Sequence, residues 1–398
     1  MTLSSPLEGY RILDLSRVLA GPYCTMMLGD LGAEVIKVER PGAGDDTRAW
    51  GPPFVGGESA YYLCTNRNKK SITVNLKSEK GREIIRQLAK SSDVVIENYK
   101  VGELTELGLG YENLRDLNPG LVYCSITGYG QNGPDKDLPG YDFIIQGRGG
   151  LMSITGEANG EPMKVGVAIV DVTAGLYAAN AIQAALLARA KTGRGQAIDI
   201  SLLDAQVAWL ANVASSFLIS GKRPGRFGNA HPTIVPYQSF AARDGAFCLA
   251  VGNDSQWQKL CQVLDHAEWA TDPRFATNPA RVQHREVLVP LLQEVFSTQD
   301  VVFWLHKIAA VEVPCGPVQA LDQVFADEQV VARDMIWAVS HPTAGEIRLV
   351  GSPLKLSETP AACRSYPPLL GEHTEEVLTS LLGYSRNEVR RLRAEKAI

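Results

Sequence analysis

The chain has 398 residues, 45% hydrophobic and 21% charged, an ordinary globular composition with length enough for two domains. A net charge of -5 and a pI near 5.8 argue against wholesale nucleic-acid binding, although a local basic patch could hold a small polyanion. Cys24, Cys64, Cys124, Cys248, Cys261, Cys315 and Cys363 form no CxxC pair and mostly sit in apolar runs, so neither a metal cluster nor a disulfide framework is expected. The N-terminal MTLSSPLEGYRILDLSR lacks a long apolar stretch, and no run reads as long enough to span a bilayer. The expectation is a cytoplasmic protein without a membrane partner.

In chain order, YRILDLS reads as a strand, PYCTMMLGDLGA as a helix and EVIKVER as a second strand. An irregular segment, PGAGDDTRAWGPPFVGG, leads to the strand SITVNL, the helix EKGREIIRQLAKSS and the strands DVVIEN and LVYCSIT. Val170 to Ala190 reads as a buried helix, followed by the strand AIDISLL and the helix DAQVAWLANVASSFL. Strands alternating with helices predict an α/β fold with a parallel sheet covered on both faces. The Gly, Pro, Arg and His texture of GKRPGRFGNAHPTIVPY marks a crossing into a smaller domain, and the last segment, ending RNEVRRLRAEKAI, returns to the first.

Four features carry possible chemistry. Gly128-Tyr129-Gly130-Gln131-Asn132-Gly133 has dinucleotide-loop spacing, but Pro134 and DKDLPG follow where a helix should begin, so a flexible surface loop is the better reading. Asp171 stands between the strand-like VGVAIV and an apolar helix; helix cap and catalytic carboxylate are equally good readings there, and compatible ones. Arg17 and Arg40 follow strands, where parallel sheets bind phosphates, whereas Lys69 and Lys70 precede theirs and fit less well. Among the histidines only His231, in GNAHPTIVPY, lies in a constrained loop. Without a GxSxG elbow or a metal-ligand spacing, hydrolase and metal chemistry recede, and no metal site is expected.

Together LDLSRVLAGPYCTMMLGDLGAEVIKVERPGAGDDTR, NRNKKSI, VIENY, LVYCSITGYG, VAIVDVTAG, TGRGQ and PLLGEHTEEVL closely resemble the class III CoA-transferases, the formyl-CoA transferase or carnitine CoA-transferase type. GAGDDTRAWGPPFVG, SAYYLCTNRNKKSI and HPTIVPYQSF bring the resemblance nearest to the branch that moves CoA from succinyl-CoA to glutarate or 3-hydroxymethylglutarate. The resemblance implies a Rossmann-like large domain, a small α/β domain and a ring-shaped subunit interlocked in a homodimer. The large domain would take residues 1–220 and 326–398, and the small one 221–325. It implies that Asp171 is the nucleophile, that Val18, Leu19, Arg40, Val74 and Asn98 contact CoA, and that Tyr141 lies near the acyl group, with Arg17 added from its strand-end position. Coenzyme A enters as a thioester substrate, with a carboxylic acid as acceptor and no tightly bound cofactor.

The sequence departs from formyl-CoA transferase at Glu106, where that enzyme has a CoA-binding arginine, and at Leu19, where it has a glutamine; its glycine-rich loop has no counterpart. The last two changes point away from oxalate as acceptor. Arg48 and His231 are candidates for the distal carboxylate of a dicarboxylic acid, and GRGG at 147–150 for a mobile lid. The α-methylacyl-CoA racemases share the fold but need a histidine where Tyr141 stands. A phenol titrating near ~10, against ~6.5 for imidazole, makes a poor proton acceptor, so racemase is the minor reading.

Overall fold

The computed structural model describes residues 5–398, which separate into two compact units. Unit 1 comprises the chain up to Leu151, Val165–Leu218 and Glu328–Ile398; unit 2 comprises Met152–Lys164 and Ile219–Asp327. Residues 152–164, expected in the large domain, thus cluster with unit 2.

Unit 1 is organised by six strands: β1 (Arg11–Asp14), β2 (Glu34–Glu39), β3 (Lys69–Thr73), β4 (Val94–Glu97), β5 (Val122–Thr127) and β6 (Ala197–Ser201). They pair in the order β3-β2-β1-β4-β5-β6, every pair parallel. The order reverses between β1 and β4, so the loops leaving those two strands diverge and open a crevice at their carboxyl ends. Side-chain alternation distributes the core to both faces. Ile12, Val35, Ile96, Val122 and Cys124 pack with helices α1 (Ala20–Asp30) and α4 (Ile169–Thr192). Leu13, Ile36, Ile72, Val95 and Tyr123 pack with α2 (Glu79–Lys90) and with Val377, Leu378, Val389 and Leu392 near the C-terminus. A further helix, α3 (Asp142–Arg148), precedes α4.

Unit 2 carries a three-stranded antiparallel sheet of Tyr237–Ala241, Ala246–Ala250 and Cys315–Pro317. Its core is aromatic: the Phe296 ring lies 4.9 Å from Phe240, 5.1 Å from Phe247 and 5.3 Å from Trp304.

Several expectations change. Lys69 and Lys70 lie inside β3, not before it; two adjacent lysines hid the start of the strand, but each meets a carboxylate, Lys69 that of Asp14 and Lys70 that of Glu34. VGVAIV is not a strand: Ile169 and Val170 already belong to α4, whose N-cap is Ala168, and Asp171 sits in the first turn. That helix is long and apolar enough by length and composition to cross a membrane, contrary to the sequence reading, and half of its most apolar window is buried within the fold. The 147–150 segment is not a free lid. A Cβ at Gly149 would come within 2.3 Å of the Gln206 side chain, so the junction after α3 is packed tightly against the helix Leu202–Trp209.

Candidate active site

The loop after β1 meets the loop after β4 through one side chain. Asn98 accepts from Arg17 N at 2.8 Å and donates to Arg17 O at 2.7 Å, closing a two-way clamp across the switch point. The next residue, Val18, has φ +69, a left-handed conformation that is a genuine outlier for a β-branched residue. Its N–H faces both oxygens of Asp45 at 3.3 Å. Asp45 in turn accepts from Lys37 at 2.8 Å and from the backbone and hydroxyl of Thr47.

Beneath this turn lies a buried charge network. Asp14 and Lys37 are cross-strand partners on β1 and β2, both essentially inaccessible. Asp14 accepts from Ser16 and Thr25, with Lys69 Nζ at 3.3 Å; Lys37 Nζ donates to Ser16 O as well as to Asp45. Burial alone would raise the carboxyl of Asp14, but Lys69, Lys37 and the two hydroxyls outweigh it and hold it below its ordinary value. Burial likewise opposes ionisation of Asp45, yet Lys37 and Thr47 bring its pKa down to about 2. Lys69 pays for its burial with a pKa lowered to about 8, against the pull of Asp14.

Above the network opens a cavity of about 540 Å³, lined by Arg17, Arg40, Val74, Lys77, Tyr99 and Lys396 among others. Arg17, Arg40 and Val74 therefore share one cavity, while Val18 and Asn98 are not among its lining residues and meet it only through their contacts with Asp45 and Arg17. Arg17 and Arg40 both pair with Asp46, and the Arg17 guanidinium lies 5.4 Å from the Tyr99 ring. Arg17 Nε is buried without a hydrogen-bond partner among the described residues. Leu19, 9% exposed, is the N-cap of α1 and offers no side-chain cap. Glu106 closes a four-residue helix, Glu103–Glu106, whose Glu103 lines the same cavity.

The helix that carries Asp171 crosses α1 closely. One turn along α4, Gly175 packs so tightly that a Cβ there would lie 2.7 Å from Ala20 O; no larger residue permits this approach. The carboxylate of Asp171 makes no hydrogen bond or ion pair with any described residue. Asp142, at the start of α3, points its carboxylate at the same turn, accepting from Val170 N at 2.8 Å and, at 3.4 Å, from Asp171 N. Desolvation first, and the Asp142 charge second, push the pKa of Asp171 up to about 7. Tyr61 belongs to the same neighbourhood: burial and then Asp171 raise its phenol to about 12. Tyr141, 63% exposed, immediately precedes α3 as its N-cap.

The two acceptor-site candidates fare differently. Arg48 is not an available cation: it grips Glu39 with two nitrogens at 2.7 and 2.9 Å, reaches Glu58 at 3.1 Å and Pro368 O at 3.0 Å, and stacks 3.7 Å from the Tyr62 ring centroid. With both neighbouring carboxylates satisfied by it, its charge is already used. His231 belongs to unit 2, where its Nδ1 accepts from Thr233 N at 3.2 Å and its ring lies 5.2 Å from Tyr237. Reasoning from sequence passed over Asp142, Tyr61 and Asp45. Asp142 adjoins Tyr141 in PGYDF, and Asp45 lies in GAGDDTR, so both were visible as acids in irregular segments. Their partners were not.

The Gly128–Gly133 segment makes a turn rather than a phosphate loop: Gly130 N donates to Thr127 Oγ1 at 2.9 Å and Gln131 N to Asp199 Oδ2 at 2.9 Å. No helix starts there.

A doubly wound parallel sheet, a cavity rich in cations at its switch point and an uncompensated carboxylate on a helix that crosses α1 define an α/β protein with a candidate ligand site at the carboxyl end of its sheet. The family model of CoA-transferase family III matches residues 7–374, and the chain belongs to that family; it is a CoA-transferase. It is 49% identical over 379 residues to the Homo sapiens succinyl-CoA:glutarate CoA-transferase, covering 95% of this chain and 86% of that one. The Agrobacterium fabrum succinate–glutarate CoA-transferase is 48% identical, covering 94% and 96%. A crystal structure of a CAIB/BAIF family protein from Brucella suis superposes with TM-score 0.86 at 46% identity, covering 95% of this chain and 100% of that one.

Proposed function

We propose that the protein transfers CoA from succinyl-CoA to a dicarboxylic acid such as glutarate, with Asp171 as covalent nucleophile. The observation that carries the mechanism is the state of that carboxylate: pKa raised to about 7, in the first turn of α4, without a hydrogen bond to any described residue. A poorly solvated, more basic carboxylate attacks a thioester carbonyl faster than one stabilised by fixed donors. The choice of donor and acceptor rests on the nearly half-identical relatives named for that exchange.

An Asp171 oxygen attacks the succinyl carbonyl; the C–O bond forms, the C–S bond breaks, and CoA leaves as thiolate from a mixed anhydride. The thiolate attacks the aspartyl carbonyl, releasing succinate and leaving an aspartyl-CoA thioester. The acceptor carboxylate attacks that thioester, regenerating an anhydride and the thiolate. Attack on the acceptor carbonyl then delivers the new acyl-CoA and frees Asp171. Backbone N–H groups near Asp171 would stabilise the developing oxyanions, and each such donor is worth about 3 kcal/mol in comparable sites.

The homodimer implied by the resemblance belongs to the same reading. Leu176, Leu187, Val207 and Leu218 are 48, 69, 51 and 79% exposed, apolar surface of the kind a second copy covers.

The test is mass spectrometry of acyl-CoA products from purified protein, succinyl-CoA and a pool of glutarate, 3-hydroxymethylglutarate, malate, itaconate, oxalate and carnitine. Glutaryl-CoA or hydroxymethylglutaryl-CoA formed only with enzyme and acid together is expected. A different acyl-CoA would move the acceptor assignment, and unchanged succinyl-CoA would overturn the donor. Deuterium exchange at the α-carbon of a 2-methylacyl-CoA without free acid would instead favour racemase chemistry.

A further inference from the structure

We propose that Lys396 is a binding residue of the cavity at the switch point, contacting a phosphate of the nucleotide end of the acyl-CoA; this rests on the reading of that cavity as the CoA site. Among the cations that line it, most are already engaged. Lys37 is 1% exposed and held by Asp45, while Arg17 and Arg40 share the carboxylate of Asp46. Lys77 and Lys396 line the same cavity, and neither makes an ion pair with a described residue. Glu103 is the one lining carboxylate likewise without an ion pair, so the unmatched charge of the lining is positive.

The backbone at Lys396 is fixed in a way a solvated tail would not need. Lys396 follows the helix Arg386–Ala394 and adopts φ +58, in the left-handed region, turning the chain back toward β3. Asn75 then joins the two segments: its N–H donates to Ala397 O at 2.9 Å and its side chain to Lys396 O at 3.0 Å. The same Asn75 side chain accepts from Lys77 N at 3.1 Å. Ala397 is fully buried and Ile398 8% exposed, anchoring the turn in the core beneath α2. A single asparagine therefore sets the positions of both free lysines and of Val74 beside it, and the clamp uses backbone atoms that leave the Lys396 ammonium exposed and unpaired. A phosphate dianion is the ligand that two such ammonium groups at the rim of an otherwise neutralised cavity suit.

The experiment is calorimetric titration of wild-type protein, Lys396→Ala, Lys396→Arg and Arg40→Ala with CoA, 3′-dephospho-CoA and pantetheine. Lys396→Ala is expected to weaken CoA about tenfold, the size of one charge-assisted contact, with Lys396→Arg recovering most of the loss. The difference between wild type and Lys396→Ala should vanish with pantetheine, which has no phosphate. Its persistence with 3′-dephospho-CoA would assign the contact to the diphosphate, and its disappearance to the 3′-phosphate. Unaltered CoA binding by Lys396→Ala, with Arg40→Ala weakened, would overturn the proposal alone. Equal losses for CoA and pantetheine would make Lys396 structural, and indifference of both variants to CoA would overturn the cavity assignment itself.

Discussion

Asp45 and Asp171 are carboxylates withdrawn from water at the same end of one sheet, yet their pKa values are moved in opposite directions, to about 2 and to about 7. Asp45 is surrounded by partners: Lys37, the Thr47 backbone and hydroxyl, and the Val18 N–H. Asp171 has desolvation and the neighbouring charge of Asp142, and nothing that compensates either. The lesson is that burial does not decide a carboxylate's role; the donors supplied to it do. Where every lone pair is matched, the group builds a rigid turn. Where donors are withheld, the group keeps its basicity for a substrate.

The largest expected effect comes from removing the uncompensated member. Asp171→Ala should cost at least about 10⁴-fold in turnover, as loss of a covalent nucleophile does, while acyl-CoA binding survives. Asp171→Asn is a less clean test, because slow deamidation could restore the carboxylate. Removing a partner from the compensated member should act on stability instead. Lys37→Met leaves Asp45 and Asp14 short of a cation and should cost about 3–5 kcal/mol in denaturant unfolding. A variant as stable as wild type would contradict the assignment of that network.

The pH dependences should also diverge. Asp45 has a lowered folded-state pKa, so its contribution to stability is present above its ordinary carboxylate value and lost as pH falls toward 2. Asp171 has a raised one, so its proton-linked stability is present at acid pH and lost as pH rises through about 7. Thermal melts of Asp171→Asn should therefore gain on wild type as pH rises from 4 to 8. Activity should run the other way, because the nucleophile is the carboxylate: kcat/KM should climb with pH through about 7. The smallest effect sharpens the cause. Asp142→Asn retains an acceptor for Val170 N but removes the charge, and should move that acid limb downward by less than the full shift, since desolvation is the larger contribution. An unmoved limb would exclude Asp142 as a contributor.

Much of this was legible in the chain. Alternation of β-branched runs with amphipathic stretches gave five of the sheet strands close to their places, and the arginines after β1 and β2 fell at a real cavity. The sixth, β3, was found but begun two residues late because its first two residues are lysines, and no local pattern says that carboxylates await them. Asp171 stood out as an acid entering an apolar helix, but the crossing of that helix with α1 depends on Gly175, far in sequence from Ala20. Arg48 shows a related effect: a loop arginine looks free until Glu39 and Glu58, nine and ten residues away, and Pro368 O, far along the chain, converge on it. GRGG looked flexible by composition, whereas the missing side chain at Gly149 serves close packing against Gln206. In each case the residue type was visible and the partner was not.

The central claim, that Asp171 carries the covalent intermediate, is tested most directly by intact-protein and peptide mass spectrometry after mixing with succinyl-CoA and rapid acid quench. The expected result is an adduct of CoA less one water, on the peptide containing Asp171 and absent from Asp171→Ala. Turnover without any adduct, or an adduct on another residue, would contradict it.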